Sequence, residues 1–322
     1  MALAILCSGQ GRQHADMFAL TADAPEAAGL FAHATKLLGG KDPRDLVRSG
    51  SDEALHRNRA GQILCTLQAL AAAAALGVAL PRGAIVAGYS VGEVAAWGVG
   101  GLFEATDTLD LVARRAEAMD ATTRAGDGLI FVRGLSRDDV DRLCEHYGAA
   151  VAIVNPGDAF VIGGGREALQ AIAGEARSVR AARVVHLSVE VASHTRQLAA
   201  ASAAFRKSLR LVSPTFPPAA GARILSGIDG APVISVEAGL DKLAAQISQT
   251  VQWANCLQGC VEAGATVFLE LGPGHALSAM VADTWRDLPA RSLDDFRSLQ
   301  GVRSWLAHHL SRQGRATDLF RS

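Results

Sequence analysis

The chain has 322 residues, enough for about two domains or one α/β domain with an insertion, and nearly half of them are hydrophobic. Its 31 basic and 32 acidic residues are interspersed and almost cancel, which argues against a nucleic-acid or anionic-membrane surface as partner. Five cysteines (Cys7, Cys65, Cys144, Cys256, Cys260) are odd in number and scattered without a Cys-x-x-Cys pair, so neither a disulfide framework nor a zinc or other metal site is expected.

The first residues, 2–7, read as a buried strand. They lack the basic start of a signal peptide, and the longest apolar run, 64–80, is alanine-rich and shorter than the ~20 residues of a membrane span, so a cytoplasmic chain is expected. The strand leads into a polar glycine loop, Ser8-Gly9-Gln10-Gly11-Arg12-Gln13, in which Gln10 offers an amide N–H. Helical segments occupy 15–57, and a long apolar helix runs from Asn58 to Leu76.

The apolar run Ala84-Ile85-Val86-Ala87 then ends in Gly88-Tyr89-Ser90-Val91-Gly92 and passes into an alanine-rich segment of helical period. Strand, sharp turn, helix is the context in which Gly-x-Ser-x-Gly makes a nucleophile elbow. Ser90 would sit exposed at the corner, next to free N–H groups at a helix N-terminus that can hold an oxyanion. A polar-faced helix follows over 104–123. Its adjacent Arg114 and Arg115 point about 100° apart and cannot share one role.

From 129 to about 190 the texture changes to short elements: strand 129–135, helix 136–147, strand 150–154, strand 159–163, helix 166–179 and strand 183–189. This β-α-β-β-α-β order predicts a ferredoxin-like small domain, 128–190, inserted into a larger α/β domain formed by 1–127 and 191–322. After it, Ser193-His194 is read as opening a helix to about Leu209, 224–234 as a hairpin around Asp229-Gly230, and 236–250 as a helix. Val251-Gln252-Trp253 precedes a further helix, 266–271 is the last core strand, and the tail from Ser292 reads as one amphipathic helix.

A serine nucleophile needs a base. An α/β-hydrolase order favours His275, late in the chain after Gly272-Pro273-Gly274, whereas the return of the insertion to the main domain favours His194 in an interdomain cleft. Spacing leaves both open.

Taken jointly, Ser8-Gly9-Gln10-Gly11, Gly88-Tyr89-Ser90-Val91-Gly92-Glu93, Arg115 through Met119, Ser193-His194, Val251-Gln252-Trp253 and Gly272-Pro273-Gly274 fall in the order of the malonyl-CoA:acyl carrier protein transacylase family, which the chain resembles from residue 3 to about 285. The resemblance implies a hydrolase-like large domain with a parallel sheet, interrupted by a ferredoxin-like small domain. It implies Ser90 as nucleophile, His194 as base, Gln10 and the Val91 N–H as oxyanion hole, Arg115 as the grip on a malonyl carboxylate, and Gln252 as support for the histidine region. It implies malonyl-CoA as substrate, an acyl carrier protein as partner, and no permanently bound cofactor. Two positions depart from the usual pattern: Tyr89 stands for histidine and Cys7-Ser8 for Phe-Pro. With these, the chain most resembles the malonate decarboxylase branch, whose epsilon subunit loads malonyl onto the decarboxylase carrier subunit. A fatty-acid or polyketide transacylase, a serine hydrolase and a non-catalytic carrier-docking subunit are the alternatives.

Overall fold

The computed structural model describes residues 2–77, 81, 83–179, 181–218 and 221–311. The first part of the large domain comprises β1 (Ala2–Cys7), α1 (Ala28–Leu37), α2 (Pro43–Ser49), α3 (Asp52–His56), α4 (Asn58–Leu76), β2 (Ile85–Gly88), α5 (Gly92–Val99) and α6 (Ala105–Asp120). The insertion contributes β3 (Asp127–Arg133), α7 (Arg137–Tyr147), β4 (Ala150–Asn155), β5 (Ala159–Gly165), α8 (Arg166–Ser178) and β6 (Arg183–His186). The chain then returns through α9 (Ala199–Leu209), β7 (Arg223–Ile224), α10 (Val236–Ala245), β8 (Val251–Gln252), α11 (Trp253–Glu262), β9 (Ala265–Leu271), α12 (Ala276–Thr284), β10 (Ala290–Ser292) and α13 (Leu299–Ser311).

The large sheet is wholly parallel in the order β10-β9-β1-β2-β7. Both faces of such a sheet are covered by helices, which is why β1 is a continuous apolar run without alternation and β9 is nearly one, its buried Glu270 being satisfied by Ser8 Oγ and Ser278 N. Helix α4 has the length and apolarity of a membrane span, contrary to the reading of 64–80 as too short, but it lies largely buried within this fold.

The inserted sheet has the order β6-β3-β5-β4, the ferredoxin-like arrangement expected from the sequence. Its strands are also largely apolar on both faces, and successive residues go to different cores because the two faces meet different surroundings. Ile130, Val132, Phe160 and Ile162 pack in a separate core with α7 and α8, whereas Leu129, Ala152, Ile153 and Val161 join the core of the large domain. The connection is also made by backbone: β8 adds to β4 in parallel, pairing Ile153 with Val251 and Val154 with Gln252.

Three expectations from the sequence are corrected and one is met in part. His194 does not begin a helix; it stands in a turn with φ 63°, and α9 starts at Ala199. Residues 224–234 form a short hairpin, with one antiparallel bridge, Leu225 with Pro232, flanked by hydrogen bonds from Val233 N to the Ile224 oxygen (2.8 Å) and from Ser226 N to the Ala231 oxygen (2.9 Å), and Arg223–Ile224 pairs in addition with β2 on its other side. Helix α10 stops at Ala245, not near 250. The capping box of Ser292 and Asp295 closes a single 3-10 turn, and α13 begins separately at Leu299.

The elbow depends on two close approaches. A Cβ on Gly92 would lie 2.1 Å from the Cys7 carbonyl oxygen, and one on Gly88 would lie 2.0 Å from the Gly92 oxygen, so α5 can seat against β1 only with bare backbone at these positions. Gly92→Ala is therefore expected to cost about 3 kcal/mol or more, by forced displacement of a packed strand. Gly174→Ala, in α8 with open space around it, is expected to gain up to about 1 kcal/mol from helix propensity. Urea unfolding of the two variants beside the parent checks both signs.

Candidate active site

Ser90 occupies the corner between β2 and α5 with φ 56°, a left-handed conformation that costs a non-glycine residue energy and that packing must hold in place. The hold comes from Gly92 N donating to the Tyr89 oxygen (2.9 Å), Glu93 N to the Ser90 oxygen (3.0 Å) and Tyr89 N to the Cys7 oxygen (2.9 Å). His194 shares the left-handed conformation, and its backbone N–H donates to the Ile247 oxygen at 2.8 Å. Gly163 lets the inserted sheet approach this turn, since a Cβ there would lie 2.7 Å from Thr195 Cγ2.

The two side chains meet: Ser90 Oγ is 2.8 Å from His194 Nε2. The other ring nitrogen, Nδ1, lies 2.5 Å from the Gln246 carbonyl oxygen. A carbonyl only accepts, so Nδ1 carries the hydrogen and Nε2 presents its lone pair to the serine hydroxyl. Burial, with Arg115 nearby, pushes the imidazole down to about 3, against the opposing pull of the Gln246 carbonyl. It is thus held neutral, the state a base requires. His275, by contrast, stands at the N-terminus of α12 and is not the partner of Ser90.

The histidine's support is a correction to the sequence reading. Gln252 makes no hydrogen bond to the imidazole, which bonds Ser90 and the Gln246 carbonyl; it belongs to β8 and lines one cleft together with His194, Thr195, Arg196 and Thr250. Gln246 does the work expected of it. Because α10 ends at Ala245, the Gln246 carbonyl takes no helical hydrogen bond and is free for His194. Its side chain donates from Nε2 to the Ser90 oxygen (2.9 Å) and to Glu93 Oε2 (2.6 Å), and accepts at Oε1 from Arg115 (3.2 Å). Only a correct helix end would have revealed Gln246, and no local motif marks that end.

Arg115 and Arg114 separate as their spacing predicts: Arg114 is exposed and Arg115 has no exposed surface. The Arg115 guanidinium donates to Gln62 Oε1 (2.7 Å) and to Gln246, while its Nε–H, equally buried, has no acceptor. Glu93 supplies the counter-charge across the Gln246 amide. Burial raises Glu93 to about 7, with Gly227, Gln246 and Arg115 acting in the opposite direction. Burial likewise lowers Arg115 to about 10.

Of the two residues expected at the oxyanion position, Gln10 offers an atom other than its side-chain amide. The Gln10 side chain is turned away, donating to the Asn58 oxygen at 3.2 Å, but among the described residues its backbone N–H and that of Val91 have no acceptor. Gly9 brings this loop against the elbow, where a Cβ would lie 2.7 Å from the Tyr89 oxygen. A serine hydroxyl paired to a neutral imidazole, with two free N–H groups on the adjoining loop and elbow, has the parts that serine acyl transfer requires.

The comparisons agree. The acyl transferase domain family matches residues 5–305, and the chain belongs to it. It is 31% identical over 298 residues to a malonyl CoA-acyl carrier protein transacylase of Mycobacterium tuberculosis, covering 90% of this chain and 96% of that one. An acyl-carrier-protein S-malonyltransferase of Burkholderia pseudomallei superposes with a TM-score of 0.85 at 28% identity, over 94% of this chain and 99% of that one. A malonyl-transacylase solved in complex with a type II polyketide acyl-carrier protein gives 0.85 at 25% identity, over 93% and 98%.

The two displaced titrations bear on stability with opposite signs. His194 is held below its ordinary 6.5, so its contribution is present above pH 6.5 and is withdrawn as pH falls toward 3. Glu93 is raised above 4.5, so its contribution is present below pH 4.5 and is withdrawn as pH rises through about 7. Unfolding free energies measured across pH are expected to lose their acid-side slope in His194→Asn and their neutral-side slope in Glu93→Gln.

Proposed function

We propose that the chain transfers malonyl from malonyl-CoA to the prosthetic-group thiol of an acyl carrier protein, working in the cytoplasm. The observation that carries this reading is Arg115, a fully buried guanidinium with an unpaired N–H, tied through Gln246 to the Ser90–His194 pair. A buried donor without an acceptor costs about 1–3 kcal/mol, a cost that an incoming carboxylate would remove. Guanidinium takes a carboxylate through two parallel hydrogen bonds, and an acetyl group offers nothing to that fork. The names of the relatives support the same substrate.

In this reading Ser90 attacks the thioester carbonyl as His194 Nε2 takes its proton. The oxyanion is received by the N–H groups of Gln10 and Val91, and collapse expels the CoA thiol, protonated by His194, leaving malonyl-serine. The carrier thiol reverses the sequence. Water in its place would make the chain a hydrolase, which free malonate would reveal.

The relatives favour a fatty-acid or polyketide carrier as acceptor. A second reading, the malonate decarboxylase carrier, is favoured by Cys7-Ser8 and by Tyr89, whose ring packs edge-on against Trp253 with centroids 5.4 Å apart, beside the nucleophile. A competition between the two carriers for malonyl decides between them: preference for the decarboxylase carrier is the outcome that sustains the second reading.

Incubation with malonyl-CoA is expected to add a malonyl mass to the protein but not to Ser90→Ala, and to add it much more slowly to His194→Ala. Labelling that survives without Ser90 would end the mechanism. Removing the partner of a buried carboxylate costs on the order of 3–5 kcal/mol, several hundredfold or more in rate. Arg115→Ala should therefore shift kcat/KM strongly from malonyl toward acetyl, and the exposed Arg114→Ala should leave the ratio nearly unchanged.

A further inference from the structure

The buried cation of the site is not paired directly with its anion. Arg115 donates to two amide oxygens, and the carboxylate that acts on it, Glu93, stands beyond the Gln246 side chain. An amide has one donor end and one acceptor end. With Glu93 Oε2 and the Ser90 oxygen at its nitrogen, and Arg115 at its oxygen, Gln246 can face only one way. A direct ion pair would fill the guanidinium fork; the indirect one neutralises the charge and leaves Nε–H without an acceptor.

We propose that Glu93 is a positioning residue for acyl recognition: through Gln246 it keeps Arg115 neutralised yet unoccupied, and it takes up a proton from solvent when the carboxylate of the acyl group arrives. This rests on the malonyl reading above. An incoming carboxylate would place two anions around one buried cation, and like charges in a water-poor site raise the proton affinity of one of them. Glu93, 1% exposed, is the one with little charge to defend, since burial already brings it to about 7. The acyl carboxylate, gripped by the guanidinium, stays ionised.

The groups facing Glu93 leave it as the titrating member. From α6 comes Arg115, which remains charged. From α11 comes the Cys256 thiol, which burial and Glu93 itself push well above its ordinary range, so it stays neutral. Ser226, Gly227 and Gln246 carry no charge, and His194, reached through Gln246, is held neutral.

The test is calorimetric binding to the full-length Ser90→Ala chain, which binds without reacting, in two buffers of different ionisation enthalpy. Malonyl-CoA at pH 8 is expected to bind with uptake of close to one proton, and its affinity to fall about tenfold from pH 6 to pH 8, the change set by a carboxyl titrating near 7. Acetyl-CoA carries the same phosphates and serves as the control, with no uptake. Adding Glu93→Gln, which keeps the amide-sized side chain and removes the charge, should abolish both effects. In the chain with Ser90 intact, Glu93→Ala should lower kcat for both acyl groups, because Gln246 then loses its anchor, whereas Glu93→Gln should change mainly the pH dependence of the malonyl KM. Malonyl binding without proton uptake, or uptake unaltered by Glu93→Gln, overturns the inference while leaving malonyl transfer standing. If malonyl-CoA and acetyl-CoA bind alike and Arg115→Ala changes neither, the malonyl reading itself falls, and this inference with it.

Discussion

A guanidinium with no exposed surface is the constraint around which this site is built. Arg115 cannot be buried without partners for its N–H groups and a counter-charge within reach. The partners come from three separate parts of the chain: Gln62 from α4, Gln246 from the end of α10, and Glu93 from the first turn of α5. Each of these elements is thereby held in register with the elbow. Gln246 extends the constraint to the chemistry, because the same residue that accepts from Arg115 with its side chain accepts from His194 with its backbone.

The arrangement sets the serine's base by opposing influences. A carbonyl at Nδ1 fixes the tautomer and favours the protonated ring, but burial and the nearby arginine outweigh it, and the imidazole stays neutral. A carboxylate in that place would stabilise imidazolium more strongly. Here the nearest buried carboxylate is kept one amide away and serves the arginine instead.

The two domains meet where Ser90 and His194 meet. Both residues adopt left-handed backbone, one at the exit of the large sheet and the other where the chain leaves the inserted domain. The insertion is pinned by its inward strand face and by β8, so Val251-Gln252-Trp253 serves to join sheets and to place Trp253 against Tyr89. Gln252 lines the same cleft as His194 but makes no hydrogen bond to it.

The sequence by itself determined the elements whose signals are local. The apolar run, glycines and helical period around Ser90 mark an elbow. The β-α-β-β-α-β order of short elements marks the ferredoxin-like insertion. One-residue spacing on α6 sends Arg114 outward and Arg115 inward. The resemblance in motif order chose His194 over His275, and the structure brings His194 to Ser90 and links Arg115 to them through Gln246. Tertiary structure decided what depends on partners distant in the chain. Helix α10 stops at Ala245 because its following residues turn toward His194, and that ending, invisible in composition, exposes the Gln246 carbonyl. The Gln10 side chain turns to Asn58, and among the described residues its backbone N–H is left without an acceptor. Residues 223–224 join β2 on one side while Ile224 keeps the short hairpin on the other, since a place in the parallel sheet satisfies backbone groups that the hairpin does not reach. A hydrogen-bond partner contributed by a segment 50 to 150 residues away leaves no periodicity behind it, so it becomes legible only when the chain has closed on itself.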